Sequence, residues 1–147
     1  MFALIDHINE VLSIENIKNS INKALNDDAT KDYIIYLNTE KQLYESGVNS
    51  ENIDLRDIGG DYAISTKIQK QIEGQPIDRV TLKDYGDFYN TFEVEIEPNN
   101  DIIIDANPIK ENDNLFNRWG VDVLGLTDSS IEQLNDLILP KIIENIL

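Results

Sequence analysis

Phe92-Glu93-Val94-Glu95-Ile96-Glu97-Pro98-Asn99-Asn100-Asp101-Ile102-Ile103-Ile104 is the stretch that decides the fold class. Phe92, Val94 and Ile96 alternate with Glu93, Glu95 and Glu97. This period of two puts apolar side chains on one face of a strand and carboxylates on the other. Pro98 to Asp101 is turn chemistry, and Ile102-Ile103-Ile104 brings the chain back, so residues 91–106 read as an antiparallel hairpin.

Upstream the apolar period lengthens to three and four. Phe2, Ile5, Ile8 and Leu12 share a helical stripe that Ile14, Ile17, Ile21 and Leu25 continue. That predicts one long amphipathic helix, or two helices meeting near Ser13. Asn26-Asp27-Asp28 supplies stop and N-cap signals. A second helix is expected over 29–46, with Tyr33, Leu37 and Tyr44 on one side and Gly47 just past its end. Residues 48–60 read as loop, broken at Gly59-Gly60. Residues 61–73 read as a short helix carrying Tyr62, Ile64, Ile68 and Ile72, ended by Gly74-Gln75-Pro76. Residues 83–90 read as a short helix or turn.

Downstream, Asn107-Pro108 opens another loop, and Leu115, Phe116 and Trp119 cluster before Gly120. Thr127 is the expected N-cap of a last helix, with Ser129 and Glu132 spaced as a capping box one turn further in. Its expected inner face is Ile131, Leu134, Ile138 and Ile142, and Pro140 is expected to kink it or end its first part. The predicted class is α+β: a helical N-terminal half, a small antiparallel sheet including the hairpin, and a C-terminal amphipathic helix.

The 147 residues suit a single domain over 1–147, with 1–28 as a helical arm and 48–83 as an extended docking loop. A chain of this length buries about 70% of its unfolded surface, enough for a true core. Cysteine is absent, which removes thiol nucleophiles, disulfides and cysteine-ligated zinc or iron–sulfur centres. No apolar run approaches the ~20 residues that cross a bilayer. The first residues lack a basic region and carry Asp6 and Glu10 among apolar neighbours. Neither a membrane partner nor a signal peptide is therefore expected, and the expected compartment is a reducing cytoplasm or a particle assembled in one.

Net charge is −16, and the acidity is spread along the chain. Such a surface repels a phosphate backbone, so sequence-specific nucleic-acid binding is not expected. Only residues 61–83 run the other way: Lys67, Lys70, Arg79 and Lys83 outnumber Asp61, Glu73 and Asp78.

Catalytic constellations are hard to assemble from these residues. His7 is the single histidine, and its neighbour Asp6 diverges from it by about 100° on a helix, so no oriented triad is expected. Glu93, Glu95 and Glu97 stand roughly 6.6 Å apart along one strand face. Acid–base work would need an apolar pocket around one of them, and the apolar face is the opposite one. Asp101 with Asp105, or Asp27, Asp28 and Asp32, lack the spacing of a calcium loop. Gly59-Gly60-Asp61 lacks the strand and the Lys-Ser/Thr of a phosphate cradle. Tyr85, Phe88, Tyr89 and Phe92 are interleaved with Asp84 and Asp87, which suits core or interface packing better than base stacking. No catalytic residue, metal or cofactor is predicted.

The order of features from Leu43 to Phe92 carries a resemblance. Leu43-Tyr44-Glu45-Ser46-Gly47 ends a helix, Tyr62, Thr66-Lys67 and Gly74 follow, and Thr81-Leu82-Lys83-Asp84-Tyr85-Gly86-Asp87-Phe88-Tyr89-Asn90-Thr91 leads into the strand. This order resembles the small virion-morphogenesis and tail-completion proteins of tailed bacteriophages, and is closest to those of crAss-like phages of Bacteroides. In that family a helix leads into a G-x-x…T-x-x-K…G loop and then a T-L-x-D-T-G-x-F-x-x-S element. Leu82, Asp84, Gly86 and Phe88 match the element, with Thr91 at its final Ser. Thr66, Lys67 and Gly74 match the loop, and Trp119-Gly120 and Gly125-Leu126-Thr127 also fit. The likeness spans residues 37–147, and departs from the family at Tyr85, where the family has Thr, and over residues 54–60.

The resemblance implies a non-enzymatic virion structural protein: a ring-forming head–tail connector, neck or tail-completion component. It implies a place at the head–tail junction of the virion, reached by assembly in the host cytoplasm. The implied partners are copies of itself and portal, neck or tail proteins, with DNA passing nearby. Candidate interface residues are Thr66, Lys67, Lys70, Gly74, Leu82, Lys83, Asp84, Gly86 and Phe88. On this reading residues 48–83, too long for an ordinary connection, dock on a neighbour's acidic surface. Exposed ion pairs contribute only ~0–1 kcal/mol each, so Ile68, Ile72 and Leu82 must supply most of the contact. Charge reversal at Lys67, Lys70 and Lys83 together is then expected to weaken assembly and leave the fold intact.

The acidity admits a rival of another class, a small inhibitor or immunity protein that caps a basic partner by charge mimicry. Self-assembly, or co-purification with portal and tail proteins, marks the first reading. A monomer or dimer with one tight basic partner marks the second.

Overall fold

Ser13 divides the N-terminal apolar stripe. In the computed structural model, which describes residues 2–147, α1 (Phe2–Val11) stops before it and α2 (Ile14–Asn26) starts after it. Ser13 caps α2 by accepting from the Asn16 amide at 3.2 Å, so the stripe is two helices. The expected position of the Phe2 side chain on it lies outside the described residues. Asp27 caps α3 (Asp28–Tyr36) through the Ala29 amide. The helix then runs on over Leu37–Ser46 with i→i+5 bonding, a π-helix ending at Gly47. Gly47 has φ 63°, and a Cβ there would lie 2.9 Å from that of Arg79. The left-handed turn and the close approach both require glycine.

The π-helix is tied to a distant strip of backbone. Asn38 donates to the Val123 carbonyl at 2.9 Å and accepts from the Gly125 amide at 2.8 Å. Gln42 donates to the Gly125 carbonyl and accepts from the Thr127 amide, both at 2.8 Å. Two buried amides thus pair the backbone of 123–127 as a neighbouring strand would.

Residues 48–83 are folded. Val48 bridges to Asp54, and α4 (Arg56–Gly59) and α5 (Ile64–Ile72) follow. After a turn-rich stretch, β1 (Glu93–Ile96) and β2 (Ile102–Asp105) form the predicted antiparallel hairpin, with Val94 opposite Ile104 and Ile96 opposite Ile102. Glu93, Glu95 and Glu97 lie exposed on its other face. The stretch expected to be loop after Pro108 holds a second small hairpin, β3 (Ile109–Lys110) with β4 (Asp113–Asn114). The short α6 (Leu115–Trp119) follows it.

The last helix, α7 (Asp128–Ile146), begins where Thr127 Oγ1 accepts from the Ser130 amide at 3.2 Å. Thr127 is thus the N-cap, Ser129 lies inside α7, and the bond to the N-cap amide that a capping-box Glu would make comes from Gln42 Oε1. Pro140 neither ends nor divides α7. It is exposed, as is Asp136 one turn earlier, so water satisfies the carbonyl that loses its amide partner. Ile131 is exposed too, and the inner face is Leu134, Ile138 and Ile142. α7 runs antiparallel to α2: Lys141 reaches Asp27 at 3.0 Å and Asn145 reaches the Ser20 carbonyl at 3.4 Å.

Two apolar clusters result. Ala24, Leu25, Ile34, Leu37, Leu134 and Ile138 form the helical one, which the hairpin's inner face covers. Leu43, Leu55, Val80, Phe88, Phe92, Trp119 and Val123 form the core of the other. Each fully buried Leu or Ile contributes roughly 1.5–3 kcal/mol. Ile104 packs against both clusters.

Candidate interaction surface

The segment from Val80 to Asp84 has no strand partner, so side chains must satisfy its backbone. The Tyr62 hydroxyl accepts from the Thr81 and Leu82 amides at 3.0 and 3.2 Å. The Tyr89 hydroxyl donates to the Thr81 carbonyl, and burial pushes its pKa far above the ordinary phenol value. Gln75 donates to the Asp84 carbonyl at 2.6 Å. Lys70 donates to the Lys83 carbonyl at 2.6 Å and to Gln75 Oε1 at 3.0 Å, with its ammonium 4.8 Å from the Tyr62 ring centre. These ties hold Leu82 at φ 57°, a left-handed conformation that costs a non-glycine residue about 1–2 kcal/mol.

Lys70 is only 6% exposed. It is a structural cation, bonded within the chain, and not the free interface cation expected from the sequence. The residue α5 buries is a lysine, while Ile64, Ile68 and Ile72 are 79%, 54% and 75% exposed. At 3.6 residues per turn these three positions form one row along the outer side of the helix. Ile68 and Ile72, expected to supply apolar contact with a neighbour, form with Ile64 an apolar ridge in water.

The predicted interface residues separate into groups. Thr66, Lys70, Leu82, Lys83 and Asp84 line one cleft of about 370 Å³ with Tyr62, Lys110 and Trp119. Lys67 is half-buried and pairs with Asp61 at 2.7 Å. Gly74 is exposed at φ 74° with open space beside it, and marks the end of α5. Gly86 is buried at the next turn, at φ 85°. Phe88 is a core residue, edge-on to Phe92 at 5.1 Å and Phe116 at 6.4 Å. Neither Phe88 nor Leu82, which is also buried, offers a contact surface.

The cations expected to meet a neighbour are occupied within the chain. Lys83 reaches Glu40 at 3.3 Å and lies 4.8 Å from the Tyr44 ring centre. Arg79 pairs with Asp78 at 2.6 Å and donates to the Tyr44 carbonyl at 2.8 Å. Lys110, outside that stretch, pairs with Asp84 at 2.8 Å. Charge reversal at Lys70 or Lys83 would therefore disturb the fold itself, contrary to the expectation from the sequence. The irregular stretch at 54–60 is fixed as well. Arg118 donates to the carbonyls of Gly59 and Asp61 at 2.7 and 3.1 Å, and a Cβ on Gly59 would stand 2.7 Å from Trp119 Nε1.

Three carboxylates, two of them on the 48–83 stretch, are held charged. Hydrogen bonding from Lys67 lowers the pKa of Asp61, hydrogen bonding from Arg56 lowers that of Asp54, and hydrogen bonding from Lys141 lowers that of Asp27. Among the described residues, no group of three or more His, Asp or Glu side chains converges to hold a metal ion. Sequence reasoning missed the inward Lys70 and the buried amides Asn38 and Gln42. A lysine on the polar side of a short helix reads as solvated unless its partners, here Gln75 and the Lys83 carbonyl, are known. Comparison of the chain with protein-family models, with curated proteins and with solved structures finds no match.

Proposed function

We propose that this chain is a non-enzymatic virion structural protein, a ring-forming component of the head–tail connector, neck or tail-completion assembly. The observation that carries the reading is the outer row of α5. Ile64, Ile68 and Ile72 stand in water on a helix whose inner side is locked by Lys70. Large apolar side chains gathered in one exposed row suit a contact surface, and rigid ties beneath them lower the ordering cost of binding. The high negative charge suits a wall past which DNA slides without sticking. The phage resemblance supplies the setting.

The test is composition and state. Mass spectrometry of purified virions of the encoding phage is expected to detect the chain, with particle labelling at the junction. Native mass spectrometry of the purified chain, alone or with its portal and tail partners, is expected to give a closed oligomer. A chain missing from virions that stays monomeric overturns the reading.

One observation favours the inhibitor reading as a second choice. Glu93, Glu95 and Glu97 form an exposed carboxylate row on the hairpin, spaced roughly 6.6 Å apart, close to the repeat of phosphates along a nucleic-acid strand. That reading requires one basic protein partner bound by this face, and its binding to weaken on Glu93→Gln with Glu95→Gln.

A further inference from the structure

We propose that the free edge of β2 takes up an extended segment of another protein as a third strand of the hairpin, and that this segment alternates apolar residues with lysine or arginine. The proposal goes beyond the connector reading and does not require the ring. β1 and β2 form a sheet of two strands, so the outer edge of β2 has no strand beside it. The ladder fixes which groups that edge offers. The Glu97 amide bonds to the Asp101 carbonyl at 2.9 Å, and bonded pairs recur at every second residue of an antiparallel ladder. The backbones of Ile103 and Asp105 therefore bond to those of Glu95 and Glu93, while the amides and carbonyls of Ile102 and Ile104 point away from β1. Strand edges in soluble proteins are blunted by lysine, proline or a bulge. β2 has none of these between Ile102 and Asp105.

A groove of about 390 Å³ lies along β2, lined by Ile102, Ile103, Ile104, Leu124, Leu126 and Ile131. Its second wall is pinned from behind, because Asn38 and Gln42 hold the backbone of 123–127. A groove already formed lowers the ordering cost of binding. Unpaired edge amides and carbonyls are matched by another extended backbone, which makes the occupant a peptide strand. The two faces of the hairpin set its side chains. Glu93, Glu95, Ile103 and Asp105 are exposed on one face, and among the described residues no cation pairs with these three carboxylates. Ile102 and Ile104 are half-buried on the other face, packed on the helical cluster. A strand added to β2 continues both faces. Every second side chain then meets the carboxylates, and those between meet isoleucine and leucine. A second copy's β2 brings its own Asp105 and no cation, so like charges oppose self-pairing and favour a basic strand.

The probe is a short acetylated and amidated peptide of alternating valine and lysine. Titrated into the isotope-labelled full-length chain, it is expected to shift the NMR signals of the Ile102 and Ile104 amides and to slow their hydrogen exchange by about tenfold or more. Only one alternate set of peptide amides can face β2. N-methylation of that set is therefore expected to weaken binding about tenfold more than N-methylation of the other set, a readout that leaves the protein itself untouched. A peptide of alternating valine and glutamate is expected not to bind. Glu95→Gln with Asp105→Asn is expected to weaken binding of the valine–lysine peptide about threefold, a difference that added salt removes. Equal losses from the two methylated peptides overturn the proposal, as does equal binding of the valine–glutamate peptide. Signals of Ile102 and Ile104 that do not move at millimolar peptide overturn it too. So does a wild-type chain whose β2 amides are already protected by dimerisation without peptide. None of these outcomes decides whether the chain enters virions, so the proposal and the connector reading fail separately.

Discussion

α5 and α7 are written in the same code and fold in opposite senses. α5 spaces isoleucine at fours, and α7 spaces isoleucine and leucine at threes and fours. α7 turns Leu134 and Ile138 into a cluster with Ala24, Leu25, Ile34 and Leu37. α5 turns Ile64, Ile68 and Ile72 outward and buries Lys70. Periodicity shows that a helix has an apolar side, but it does not say what covers that side. In α7 the cover is α2, in the same chain. In α5 the inner side is claimed first by the unpaired backbone of Val80–Asp84, which needs donors and acceptors that isoleucine lacks.

Four substitutions or conditions break or sharpen this contrast. Leu134→Ala empties a buried site in α7 and is expected to cost about 2–4 kcal/mol, read as a lowered chemical-denaturation midpoint with an unchanged m-value. Lys70→Met keeps the length of the stem but leaves the Lys83 carbonyl and Gln75 without their donor. It is expected to cost about 2 kcal/mol and to speed amide exchange across residues 80–84. A stability equal to wild type would mean that the Lys70 contacts do not hold that segment. Ile68→Lys, on the outer side of the same helix, is expected to change monomer stability by no more than about 0.5 kcal/mol. A fall comparable to that of Leu134→Ala would mean that α5 is covered from within the chain.

The smallest effect is that of acid. Asp27, beside α7, and Asp61, beside α5, both have lowered pKa values because Lys141 and Lys67 respectively bond to their charged forms. A carboxyl whose folded pKa is depressed contributes fully above its ordinary value of about 3.9. That contribution is lost as pH falls through the lower folded value. The melting temperature should therefore begin to drop below about pH 4, and Asp61→Asn should flatten part of the drop. Carboxyl chemical shifts followed by NMR check the order in which the two groups titrate.

Much of the α+β frame was legible because it is local. Alternation fixed the hairpin's two faces, and Thr127, Asp27 and Gly47 announced helix ends through chemistry that operates within four residues. The features that escaped depend on distant partners or on solvent. The π-helix is paired with a strip of backbone far along the chain. The tiny hairpin of Ile109–Lys110 with Asp113–Asn114 has too few residues to show a period. Pro140 is harmless because its side of α7 is wet. At the candidate surface, the sequence reading took the charge as free, whereas Lys67, Lys83 and Arg79 are already partnered at 2.7, 3.3 and 2.6 Å.

The amides of Asn38 and Gln42 carry a consequence for how the chain is made. Their four bonds to residues 123–127 span 83 to 87 positions of sequence. On the ribosome, Leu37–Ser46 emerges long before the backbone it serves, and until then both amides must be satisfied by water. Burying them early would leave them unpaired at a cost of about 1–3 kcal/mol each. The π-helical segment can therefore dry only when the C-terminal third has been synthesised. Its desolvation belongs to the final stage of folding, and a nascent chain halted before Val123 would leave both amides in water.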